Sequence, residues 1–110
     1  MGKFVKGDVV VLPFPFSDLS SSKKRPALVV SPLDGDDLIL CQITTRARKD
    51  RYSIDLSAKD FTHGNLYQDS SIRPNRLFTA DSNIITKQAG AVQPGKIEEV
   101  VNKIIEIICT

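Results

Sequence analysis

The chain has 110 residues, 15 Lys and Arg against 13 Asp and Glu, and a formal net charge of +2, a balance too small to drive nucleic-acid binding through total charge. That length predicts a single domain over residues 1–110 with one core, and a radius of gyration of roughly 13 Å. With 41% hydrophobic and 25% charged residues, and no apolar run approaching the ~18 residues of a membrane span, the composition points away from a membrane protein.

Met1 to Lys6 carry no apolar leader core, so a cytoplasmic location is expected, where thiols stay reduced. Cys41 and Cys109 are then expected as free packing thiols, one inside an apolar strand and one at the end of an apolar helix. No metal-ligand spacing, Gly-rich phosphate loop or His pair is present, so no metal or cofactor is expected.

In chain order, Val9 to Leu12 form a β-branched run that Pro13 should end, because proline donates no ladder hydrogen bond. Pro13-Phe14-Pro15-Phe16 breaks regular pairing, and Ser17 to Ser22 reads as a loop. Ala27 to Ser31 is the second strand, and Pro26 biases Arg25 toward an extended backbone. Asp34-Gly35 signals a hairpin, followed by a third strand over Leu38 to Thr45. Tyr52, Ile54 and Leu56 alternate with Ser53 and Asp55 as a fourth strand with one buried face. Ser57-Ala58-Lys59-Asp60 approximates a capping box, which predicts a short helix ending near Gly64 and leaves His63 in an exposed loop. Ser70 to Ala80 has strand character, with Pro74 confined to an edge or bulge. After Pro94-Gly95, apolar residues at Ile97, Val100, Val101, Ile104, Ile105 and Ile108 follow helical spacing. The expected class is mainly β with helices (α+β), a small curved sheet or barrel plus one C-terminal helix.

The basic residues cluster. Nine of the 15 fall in three stretches: Lys23, Lys24 and Arg25; Arg46, Arg48, Lys49 and Arg51; Arg73 and Arg76. If the fold joins them, they form a phosphate-attracting patch despite the near-neutral total. A hairpin centred between Asp34 and Gly35 pairs Arg25 directly with Thr44, so a cation and a hydroxyl share one face at the hairpin's open end. An inventory of Arg, Lys, Thr, Ser and Asp suits cleavage of RNA by its own 2′-OH, which needs no protein nucleophile.

Gly7-Asp8, the Phe14-Pro15-Phe16 turn and Arg25-Pro26-Ala27-Leu28-Val29-Val30 resemble the opening of the MazF/PemK family, the endoribonuclease toxins of type II toxin–antitoxin pairs. The resemblance implies an SH3-like barrel of the MazF/CcdB toxin type with a C-terminal helix, a homodimer whose groove admits single-stranded RNA, and a cognate antitoxin that occludes it. It assigns the catalytic pair to Arg25 and Thr44. Thr79-Ala80-Asp81 matches a family stretch that places a further catalytic Arg at Arg73 and the partner Asp at Asn75, an amide that is no carboxylate base. Lys24, Thr45, Arg46, Asn75 and Arg76 follow by position as RNA contacts. Phe14 and Phe16 pack in the core or meet RNA bases or the antitoxin. The related CcdB-like gyrase poisons share this fold without cleaving anything, and a noncatalytic RNA-binding barrel is a third reading.

Overall fold

The computed structural model describes residues 4–13, 24–45 and 50–109. They form seven strands and one helix: β1 (Asp8–Pro13), β2 (Lys24–Pro32), β3 (Asp37–Thr44), β4 (Ile54–Leu56), β5 (Phe61–Gly64), β6 (Ser70–Asp81), β7 (Lys87–Val92) and α1 (Pro94–Ile108). The strands make one antiparallel sheet in the order β4-β6-β3-β2-β1-β7-β5. It curves into a half-barrel about 31 × 31 × 30 Å across with a radius of gyration of 13.1 Å. Among the described residues no helix is long and apolar enough to cross a membrane.

Strand alternation sends apolar side chains to both faces. On one, Val9, Leu28, Cys41, Ile43, Ile54, Leu56, Ile72 and Val92 form a core that Val100 and Ile104 of α1 close. On the other, Val10, Leu12, Ala27, Val29, Leu38, Leu40 and Ala80 form a second cluster, flanked by Phe4, Phe78 and Ile85. α1 is rich in β-branched residues and so depends on this packing for its stability. Pro94 opens it at a position where a missing N–H costs nothing.

Several expected boundaries shift. β1 keeps Pro13 in register opposite Lys24, and β2 begins at Lys24 rather than Ala27. The capping box exists, with Asp60 accepting from the Ser57 N–H at 2.9 Å, but it starts only a single 3-10 turn over Ala58–Asp60. The chain from Phe61 to Gly64 is β5 instead of helix, because buried Phe61 pairs with Val92 and Gly64 with Gly90. His63 is thus an exposed strand residue. β7 carries no strong apolar alternation in Lys87-Gln88-Ala89-Gly90 and was not expected from sequence. Cys41 is buried, whereas Cys109 caps α1 in the open and packs against no core.

Candidate functional site

The open end of the β2–β3 hairpin sets the site. Near its tip the register is not the expected one: Pro32 faces Leu38, and Gly35 sits at the centre of a wider turn with φ +76°. A bulge between Val29 and Ser31 absorbs one residue. From there the pairs run Val29–Leu40, Leu28–Cys41 and Ala27–Gln42, the register that a turn between Asp34 and Gly35 would have produced. Both strands continue two residues further, to Arg25 and Thr44. Alternation puts Arg25 on the face of Ala27 and Thr44 on the face of Gln42, so the two share the face of the second apolar cluster.

β6 completes that face. Arg73 is directly opposite Gln42, and Ser71 directly opposite Thr44. One row across the sheet therefore holds Ala27, Gln42 and Arg73. The next, about 7 Å away by two residues of strand rise, holds Leu12, Arg25, Thr44, Ser71 and Asp55. Between Arg73 and Leu77 the residues Pro74, Asn75 and Arg76 have no partner in the β3 ladder, a large bulge. Pro74 occupies this bulge and not an edge, since β6 lies between β4 and β3.

Burial grades the polar side chains. Thr44 is 7% exposed, Ser71 2% and Arg73 7%, while Arg25 and Gln42 are half-buried. The permanently charged guanidinium of Arg73, 7% exposed, acts through a lower dielectric than a surface cation, so its field on a nearby anion is stronger. Asp50 stands close to this charge. Its carboxylate accepts N–H bonds from Ser53 at 2.8 Å and Tyr52 at 2.9 Å. Those two bonds, with a smaller contribution from Arg73, hold it below the ordinary aspartate range. Arg51 stacks its guanidinium 5.1 Å from the centre of the Tyr52 ring.

Of the expected contact residues, Asn75 and Arg76 are exposed on the β6 bulge, and Thr45 is exposed just past β3. Lys24 is exposed but alternates to the face opposite Arg25. Arg46, with Lys23, Arg48, Lys49, Phe14 and Phe16, lies outside the described residues. Gln42, Ser71 and Asp50 are additions to the sequence reading. Asp50-Arg51-Tyr52-Ser53 has the composition of an Asx turn, a signal that was available. Nothing in the sequence marked Ser71, because its position depends on the length of the β6 bulge.

Two guanidiniums and a buried hydroxyl on one face of the sheet are the kinds of group that phosphates bind. The family model for PemK-like, MazF-like toxins of type II toxin–antitoxin systems matches residues 5–108. The chain belongs to this toxin family. Solved members share its fold: MazF from Deinococcus radiodurans superposes with a TM-score of 0.76 at 21% identity, covering 96% of each chain. The MazF-mt6 toxin of Mycobacterium tuberculosis gives 0.72 at 15% identity, covering 93% of this chain and 96% of that one. A mycobacterial endoribonuclease in complex with its cognate antitoxin gives 0.75 at 14%, covering 96% and 94%. A comparison with curated proteins finds no match. The expected MazF-type β fold with a C-terminal helix is therefore the observed fold of this PemK-like toxin, its antiparallel sheet curved into a half-barrel.

Proposed function

We propose that this toxin is an endoribonuclease that cleaves single-stranded RNA at a short preferred sequence without a metal ion, the RNA 2′-OH being the nucleophile. The observation that carries the reading is the register that places Arg25, Thr44 and Arg73 on one face, two cations and a hydroxyl beside an apolar floor. In the reaction the 2′-oxygen forms a bond to phosphorus as the bond to the 5′-oxygen breaks. The 2′-hydroxyl proton is lost, a proton is returned to the departing oxygen, and the products are a 2′,3′-cyclic phosphate or 3′-phosphate and a 5′-OH. Arg25 stabilises the extra charge on the phosphoryl oxygens, Thr44 hydrogen-bonds and orients the scissile phosphate, and Arg73 neutralises charge near the leaving oxygen. Asn75 and Arg76 on the bulge, with Lys24, Thr45 and Arg46, contact the RNA strand.

We further infer a cytoplasmic homodimer silenced by a cognate antitoxin; the mycobacterial relative above was solved in complex with its cognate antitoxin. Ile105 and Ile108, 51% and 67% exposed on α1, supply apolar surface for such contacts.

The test is a time course of purified protein with long mixed-sequence single-stranded RNA in EDTA, with fragment ends mapped. Discrete cuts bearing 5′-OH ends are expected. Arg25→Ala should lose roughly 3 kcal/mol of transition-state stabilisation, about a hundredfold in rate, as when a positioned charge-stabilising donor is removed. Cleavage by Arg25→Ala at the parental rate would remove Arg25 from the mechanism, and RNA left intact by the parent protein would refute the ribonuclease reading.

A further inference from the structure

On the face that carries Arg25, Thr44 and Arg73, the apolar run of β3 gives way at one residue. Leu38 and Leu40 are buried in the second cluster, and the same alternation then presents Gln42, ahead of Thr44. Gln42 is half-buried, and its carboxamide makes no hydrogen bond with any described residue. Cations flank it. Arg73 is directly opposite on β6, and on β2 Arg25 is two residues from Ala27, the residue opposite Gln42 there. Opposed side chains start about 5 Å apart, so the amide and the Arg73 guanidinium can meet the same ligand.

A face that bound only phosphates would gain from a further cation or hydroxyl at this position. The amide is neutral. In the two rows that hold Arg25, Thr44, Ser71, Asp55, Gln42 and Arg73, it is the only side chain with a donor and an acceptor side by side on separate atoms. Such a pair matches the edge of a base, which alternates donors and acceptors, better than a phosphate, which only accepts.

We propose that Gln42 and Arg73 form a base subsite selective for a pyrimidine, next to the scissile phosphate. The inference rests on the ribonuclease reading above and adds the class of one recognised base. Gln42 is two residues along β3 from Thr44, about 7 Å, so a phosphate on Thr44 leaves an adjoining base within reach of the amide. On uracil, N3–H donates to the amide oxygen and O4 accepts from the amide nitrogen. On cytosine the amide turns over, with N4–H donating to its oxygen and N3 accepting from its nitrogen. In both, the third group on that edge is O2, an acceptor, which falls to the guanidinium. Purines differ at that third position. Adenine has a C–H there, which offers Arg73 nothing, and guanine an amino group, which sets donor against donor. On the other purine edge, adenine N7 and N6 suit only the amide, and guanine N7 and O6 only the guanidinium. Arg73 has five N–H donors, so one spent on O2 leaves others for the leaving oxygen.

The experiment measures kcat/KM on RNAs that differ in one base at each position flanking the cut, for the parent, Gln42→Met and Gln42→Glu, with thermal melts to confirm folding. The parent should favour uracil and cytosine over both purines at one position. Gln42→Met, close in shape but without the amide, should lose about 5- to 150-fold of that preference, the range of a two-bond base contact. Gln42→Glu, an acceptor only, should lose it too and gain activity on guanine, whose N1–H and N2–H suit a carboxylate; if Gln42→Met does not fold, this variant decides. A pyrimidin-2-one base at that position, which lacks the group on C4, should slow the parent and leave Gln42→Met unaffected. Cleavage by the parent with no pyrimidine preference, or the parental preference kept by either folded variant, would overturn the subsite and leave the ribonuclease reading standing. An equal loss of rate on all four bases would make Gln42 a structural residue and also overturn it. No RNA cleavage by the parent would refute both proposals.

Discussion

Gly64 and Gly90 are opposed on β5 and β7, and their backbones are too close for any side chain. A Cβ built on Gly64 overlaps the Ala89 carbonyl oxygen and comes within 2.5 Å of the Gly90 Cα, while Gly64 itself holds φ +75°. Both obstacles are main chain, so no rotamer change relieves them. Gly64→Ala must first bear the left-handed penalty of about 1–2 kcal/mol. It must then pull β5 from β7, loosening the Asn65 N–H bond to Ala89 and the Thr62 hydroxyl bond to Ala91, at about 1 kcal/mol each. Phe61, 9% exposed, also loses part of a burial worth about 1.5–3 kcal/mol. The expected loss is about 4 kcal/mol. Two other glycines separate backbone angle from space. Gly35 has φ +76° but nothing within 4 Å, so Gly35→Ala should cost only about 1–2 kcal/mol. Gly95, in the first turn of α1, has neither constraint, and Gly95→Ala should be neutral or slightly stabilising. Urea denaturation at equilibrium reads all three. A Gly64→Ala protein no less stable than Gly35→Ala would show that the β5–β7 approach is not the constraint described.

The two thiols should behave oppositely. Burial pushes Cys41 up to about 12 while Cys109 is exposed, so a thiol reagent at pH 8 should titrate one group per native chain and two per unfolded chain; two in the native state would contradict the buried position of Cys41. Because the folded pKa lies above the unfolded value near 9.0, this group's contribution to stability is intact below pH 9 and is lost as pH climbs toward 12. Asp50 has the reverse sign. The Ser53 and Tyr52 N–H groups depress it below 3.8, so the ordered turn persists at neutral pH and weakens only as pH falls through its lowered pKa. A carboxyl-carbon NMR titration giving Asp50 a midpoint at or above 3.8 would refute those hydrogen bonds.

How much of this was legible depended on the range of the physics involved. α1 and the first three strands announce themselves through local periodicity and turn chemistry, and Arg25 and Thr44 were placed together from that alone. The register leading to them, Val29–Leu40 through Ala27–Gln42, is the expected one through two departures that offset each other, a wider turn at Gly35 and a bulge at Val30. No sequence rule sees such a cancellation. β5 was hidden because Phe61 to Gly64 follows a capping box and looks helical until Gly90, far along the chain, is known to lie against Gly64. Ser71 stayed unmarked for a related reason. Its place opposite Thr44 is set by how many residues β6 extrudes at Pro74, a quantity decided by the fold and not by residue type.

The strand order also bears on when such a toxin can first do harm. β1, β2 and β3 are sequential neighbours and can assemble as soon as they leave the ribosome, bringing Arg25 and Thr44 together early. The far side of β3 waits for β6, which brings Arg73, and the far side of β1 waits for β7. A nascent chain short of β6 therefore lacks Arg73 and Ser71, and one that has β6 but not β7 still leaves β1 with an unpaired edge. The face that carries Arg25, Thr44 and Arg73 is thus completed only when the chain has been made through β6, and the sheet is closed only by β7.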